Sequence, residues 1–223
     1  MTAQDEITAH HEMTTHEEMT APVEMILASR SPRRADILSR MGFRFSVRVR
    51  SVDETIRSHD PEPYVLELSV RKAAAVRSDC TGALIVGADT VVFHNGRILG
   101  KPSGPEEAAA MLRGLSGVTH QVYTGFALLH PDGRAVQDCV VTDVTFRALA
   151  DWEIRRYVIT GEPLDKAGAY GIQGGAGIFV DRIDGCYYNV VGFPVSRFHE
   201  RLSGLVGEDT VRRLMEDPSG RYG

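Results

Sequence analysis

The chain has 223 residues, 43% apolar and 25% charged, with a formal net charge of -5. This is the size of one large domain or two small ones with ordinary globular composition. The acidic balance excludes a surface built to coat nucleic acid, and no apolar run approaches the ~20 residues of a membrane-spanning helix.

Residues 1–22 are rich in His, Glu, Thr and Met and close on Pro22, which predicts a disordered polar extension. Within it, His11-Glu12-Met13-Thr14-Thr15-His16 spaces two histidines at i and i+5. A zinc-protease helix needs i and i+4 to put both on one face, so no zinc site is expected there. The ordered domain is expected over residues 23–207, with residues 208–223 as a loose tail. Cys80, Cys139 and Cys186 are odd in number and lack metal-site spacing, which fits a reducing compartment and points to the cytoplasm.

Met25-Ile26-Leu27-Ala28 predicts a short strand, and Pro32 to Met41 a helix with Ser31 as N-cap and Gly42 just past its end. Ser29, Ser31, Arg33 and Arg34 thereby gather at one helix N-terminus. Basic charge there is locally unfavourable unless an anion joins it, so this is a candidate anion site. Phe43, Phe45, Val47 and Val49 alternate with polar residues, the period of a half-exposed strand. It ends at Asp53-Glu54, two carboxylates suited either to a divalent metal or to a solvated loop. A helix is expected from Pro61 to about Ser78. Lys72, four residues from both Leu68 and Val76, lies on its apolar stripe and must snorkel or meet an anion; Arg71 and Arg77 read as solvated. If that anion is only a ligand, Lys72 is an uncompensated charge in the empty protein, and Lys72→Met would not destabilise it.

Leu84 to Pro102 reads as a hairpin: an apolar strand, a His94-Asn95-Gly96 turn and a short return to Gly100-Lys101-Pro102. Asp89 sits in the middle of its apolar arm. Such a carboxylate is costly unless it is paired or does chemistry. Ser103 to Glu106 resembles a capping box before a helix ending at Gly117. Strands follow over 120–130 and 135–146, then a helix from Asp151 to Gly161. Five glycines between 168 and 177 give a backbone that a ligand can approach closely, without the pattern of a P-loop or a dinucleotide fold. Ile178 to Val180 and Tyr187 to Gly192 read as strands, and a last helix starts at Pro194.

Taken together, LASRSPRRADIL (27–38), VDE (52–54), Arg71-Lys72-Ala73, GADTVV (87–92), LGKP (99–102), LSGVTHQVYTG (115–125), TDVTF (142–146), GEPLDKAGAYGIQG (161–174) and YYNVVGFP (187–194) resemble the Maf family of nucleoside triphosphate pyrophosphatases. The DKAGAYGIQG segment is similar to that of the branch acting on dTTP and UTP. Cys186 and Phe193 depart from the usual Ser and Leu. The resemblance implies a single α/β domain: a long, mixed, twisted sheet flanked by helices, two lobes around a cleft, similar to the inosine-triphosphate pyrophosphatases. It implies hydrolysis of a triphosphate to the monophosphate and pyrophosphate. It makes Asp89 the proton acceptor and has Glu54 and Asp89 share a divalent metal, Mg²⁺ or Mn²⁺. Lys72, Lys101, Arg33 and Arg34 become the cations, and Ser29 and Ser31 hydrogen-bond donors. Arg33, Thr90 and Gln173 tune base choice, and Asp165 and Lys166 border the same site. A homodimer is plausible for the clan. Two other readings stay open, a nucleotide-binding regulator of septum formation and a pyrophosphatase for a modified purine triphosphate.

Overall fold

The computed structural model describes residues 24–56 and 58–215; the extension expected over 1–22, with its His11–His16 tract, lies outside them. Seven strands form one mixed sheet. They are β1 (Met25–Leu27), β2 (Ser46–Val47), β3 (Leu84–His94), β4 (Arg97–Leu99), β5 (Thr119–Leu129), β6 (Ala135–Phe146) and β7 (Val180–Asp184). The order is β2-β1-β3-β5-β6-β7, with β4 also on β3. β1 runs parallel to β2 and β3, and the other pairs are antiparallel. Among the described residues seven α-helices flank the sheet: α1 (Pro32–Arg40), α2 (Pro61–Ala75), α3 (Pro105–Leu115), α4 (Asp151–Ile159), α5 (Tyr187–Val191), α6 (Val195–Val206) and α7 (Glu208–Met215). The expected single α/β domain with a long mixed sheet is what folds.

Among the described residues the two larger of three buried apolar clusters mark the two lobes. Leu27, Ile37, Leu38, Ala88, Phe193 and Phe198 belong to one buried cluster. Val92, Leu112, Val144, Phe146, Tyr157 and Phe179 belong to another. β3 crosses from one to the other between Ala88 and Val92, so Asp89 and Thr90 stand at the junction of the lobes.

Four expectations change. The strand expected from Phe43 to Val49 shrinks to two paired residues, because β2 is an edge strand and Val47 and Val49 are exposed. Tyr187–Val191 is a helix, not a strand. Its aromatic and β-branched residues mimic a strand, but Asn189 is fully buried and donates from Nδ2 to the Val122 carbonyl (3.0 Å) and Thr142 Oγ1 (2.9 Å). Those long-range bonds override local β-propensity. Ile178-Phe179 closes a 3₁₀ turn, and the strand begins at Val180. The tail expected after Gly207 begins as α7, whose Val211 and Leu214 are buried in the first cluster; the Arg44 N–H donates to the Leu214 carbonyl (2.8 Å).

Candidate active site

Two glycines set the geometry around Asp89. A Cβ on Gly87 would lie 2.1 Å from the Ser69 carbonyl oxygen, and one on Gly125 would lie 2.8 Å from Val65. Only glycine lets α2 press onto β3 and β5 this closely. That approach brings Lys72, three residues after Ser69, onto Asp89, two residues after Gly87. Lys72 Nζ donates to Asp89 Oδ1 at 2.6 Å and lies 3.0 Å from Glu54 Oε1. Its side chain is 17% exposed and that of Asp89 14%. The anion required by a lysine on the apolar stripe is therefore already present, within the protein.

Glu54 is held from behind. Arg71, expected to be solvated, donates to the carbonyls of Asp53 and Thr55 (both 3.0 Å), one on each side of Glu54. The Asp53 carboxylate accepts the Thr55 N–H (2.8 Å) and tightens the same turn. Tyr64 was not singled out in the sequence, yet it lines the cleft with Leu68 and Lys72. The three recur every four residues of α2, a stripe that periodicity could have revealed. Burial, then the fields of Asp89 and Glu54, raises the Tyr64 phenol pKa and keeps it a donor.

The two arginines at the start of α1 have different fates. Arg34 is buried and donates to the carbonyls of Gly192 (2.9 Å) and Ala88 (2.9 Å), and to Ser29 Oγ (3.1 Å) and Thr90 Oγ1 (2.9 Å). Burial lowers its pKa, and the Asp89 charge opposes that shift. Four of its five N–H donors are thus committed to protein acceptors, and it fixes Ser29 and Thr90. The Thr90 hydroxyl is further bonded to Thr124 Oγ1 (3.0 Å). Arg33 is partly exposed and lies 3.9 Å from Asp165. Ser31 occupies the N-cap position without a side-chain capping bond.

The opposite wall is the glycine-rich segment. Gly168, at φ 65°, stacks its backbone on Val92, where a Cβ would come within 2.7 Å, and its N–H donates to the Gly100 carbonyl (3.1 Å). That seam brings Lys101, which is exposed, to the same cleft as Lys166. Lys166 Nζ donates to Asp165 Oδ1 (2.6 Å) and the Glu162 carbonyl (2.8 Å). Burial pushes the Asp165 carboxyl up, but the Lys166 hydrogen bond and charge, with Arg33, outweigh it and the net shift is down. Gln173 is exposed and also lines the cleft.

All twelve residues expected at the site line this one cleft, of about 480 Å³. Among the described residues no three His, Cys, Asp or Glu side chains converge as a protein-only metal cage. Two carboxylates, Glu54 and Asp89, do converge on the Lys72 ammonium. Mg²⁺ typically takes one or two carboxylates and fills its other positions with water and phosphate oxygens, so this hard-oxygen pair fits it and does not fit zinc. Two further residues escaped the sequence reading. Tyr157 and Glu162 stand behind the glycine-rich wall and bond its backbone.

A 49% identical protein of Pelotomaculum thermopropionicum, aligned over 80% of this chain and 95% of its own length, is named a dTTP/UTP pyrophosphatase. A 51% identical protein of Thermococcus onnurineus, aligned over 77% of this chain and 92% of its own length, carries the same name. Among solved structures, the Ham1 protein of Staphylococcus aureus aligns over 82% of this chain and 99% of its own, with 14% identity and a TM-score of 0.48. The model of the Maf-like protein family matches residues 24–205, and the chain belongs to that family.

Proposed function

We propose that the chain is a nucleoside triphosphate pyrophosphatase that hydrolyses dTTP and UTP to the monophosphate and pyrophosphate in the cytoplasm. One observation carries this reading: a carboxylate at the junction of two lobes, paired to a lysine, faces a cleft that also holds Arg33, Lys101 and Lys166. A triphosphate brings close to four negative charges, and fixed cations on opposite walls neutralise it without reorganising. The names of the relatives support the base preference.

In this reading Asp89 takes a proton from water as its oxygen bonds to the α-phosphorus. The bond from that phosphorus to the oxygen bridging to the β-phosphorus breaks, and pyrophosphate leaves with the electron pair. Lys72 holds Asp89 by Oδ1, and Oδ2 has no hydrogen-bond partner among the described residues. Oδ2 is therefore the acceptor available to water. Glu54 and Asp89 would hold a divalent cation, which supplies charge neutralisation to the phosphates when bound. Ser29, Ser31 and the start of α1 offer donors to phosphate oxygens.

Pyrophosphate release from a panel of natural and modified triphosphates, with Mg²⁺ or Mn²⁺, tests the proposal. dTTP and UTP should lead, and Asp89→Asn should lower turnover by ~10²-fold or more, the scale of a lost general base. Near-normal turnover by Asp89→Asn, or release from purine triphosphates alone, would overturn it.

A further inference from the structure

Gln173 lies midway between two tethered glycines. The Gly171 N–H donates to the Tyr157 hydroxyl oxygen (3.1 Å), and the Gly175 N–H donates to Glu162 Oε2 (3.0 Å). The tethers are joined, because the Tyr157 hydroxyl donates to Glu162 Oε1 (2.9 Å). The backbone is thus gripped two residues before Gln173 and two residues after it by one connected pair. A Cβ on Gly174 would come within 2.0 Å of Glu162 Oε1, so the carboxylate fills the space a larger residue would need. The Tyr157 ring is buried and packs edge-on against Phe179, centroids 5.4 Å apart. Glu162 also reaches the cationic wall, since its carbonyl accepts from Lys166 Nζ (2.8 Å).

We propose that Tyr157 and Glu162 are positioning residues that set base selectivity by holding the Gln173 backbone in one place. This rests on the pyrophosphatase reading and on Gln173 meeting the base. Uracil and thymine present an acceptor at O4 and a donor at N3, and cytosine presents the reverse. A carboxamide has a donor and an acceptor side by side and can satisfy either edge by flipping. A single amide therefore discriminates only if its orientation is fixed, and a fixed backbone is the first condition for that. Neither Tyr157 nor Glu162 lines the cleft, so both act through the loop. Burial raises the Tyr157 phenol well above its ordinary range, which keeps it a donor to Glu162.

The test compares kcat/KM for UTP and CTP in wild type, Tyr157→Phe, Glu162→Gln and Gln173→Glu, with melting temperatures alongside. Tyr157→Phe keeps the packed ring and deletes one hydroxyl. Glu162→Gln keeps the shape and replaces one acceptor with a donor that faces the Gly175 N–H or the Tyr157 hydroxyl. Both should lower the UTP-to-CTP ratio by tenfold or more. The Tyr157→Phe/Glu162→Gln pair should lower it no further than the worse single variant, because the two form one unit. Val211→Ala, in α7 and outside the cleft lining, should lower the melting temperature and leave the ratio alone.

An unchanged ratio in Tyr157→Phe and Glu162→Gln, with only melting temperature lowered as in Val211→Ala, would overturn the clamp while leaving the enzyme assignment intact. If Gln173→Glu also keeps the ratio, Gln173 does not read the base and the clamp falls with it. If the wild type releases no pyrophosphate from any triphosphate, the assignment itself is wrong. Should Glu162→Gln not fold, Tyr157→Phe decides alone.

Discussion

Lys72→Met reverses sign between the sequence and the structure. With no protein anion beside it, Lys72 would be an uncompensated charge, and methionine of similar length would be neutral or stabilising. The structure instead places Nζ 2.6 Å from Asp89 and 3.0 Å from Glu54. Methionine then leaves Asp89, only 14% exposed, without its charged donor. Breaking a fully buried pair costs about 3–5 kcal/mol. Losing the partner of a charged hydrogen bond that water can partly replace costs about 1–3 kcal/mol, and the open cleft puts Asp89 in that lower range. Glu54 adds little, since its side chain is 59% exposed. For a chain of this length about 1–3 kcal/mol lowers Tm by roughly 2–12 °C. Thermal unfolding without nucleotide measures it, and adding Asp89→Asn should recover part of the loss by removing the stranded charge. A Lys72→Met protein that melts at or above wild type, or a double variant no better than additive, would refute the view that this pair holds the empty site together.

Gly87→Ala should cost about 1–3 kcal/mol in urea unfolding, because its Cβ meets backbone and α2 must move away. Turnover should fall as well, since that shift carries Lys72 off Asp89. Truncation after Gly207 should lower Tm measurably, because it uncovers the pocket of Val211 and Leu214, each 4% exposed. Burial first, and then the His94 charge, lower the His120 pKa from 6.5 to about 4. Between those values the unfolded chain binds the proton that the folded one refuses, so this group makes stability fall as pH drops from 6.5 to about 4. The loss amounts to about 3 kcal/mol at the acid end, and His120→Asn should flatten that part of the pH dependence of the urea midpoint.

The β3–β4 hairpin, the starts of α1 and α2 and the β5–β6 pair are written in short-range signals, which is why the sequence expectations match them. What escaped depends on partners far along the chain, yet part of it was visible in the pattern. Arg34, Ile37 and Leu38 are the buried residues of α1, at i, i+3 and i+4. That spacing turns Arg34 inward and leaves Arg33 on the adjoining face, so the two arginines need not share a role. Gly87 and Gly125 likewise interrupt strands, a sign of close backbone approach, and the residue they bring together with Asp89 is the lysine already on the apolar stripe. Tyr157 and Glu162 belong to a different class. They act through single hydrogen bonds to backbone N–H groups 13 and 14 residues away, and neither helix nor strand periodicity can carry such a signal. The glycines they grip showed only that the segment lets a ligand come close. A backbone that permits close approach is also one that must be held, because glycine leaves more conformational freedom to remove than any other residue. A glycine-rich wall bearing one selective side chain therefore requires outside anchors on both sides of it, and Tyr157 and Glu162 stand at those two positions.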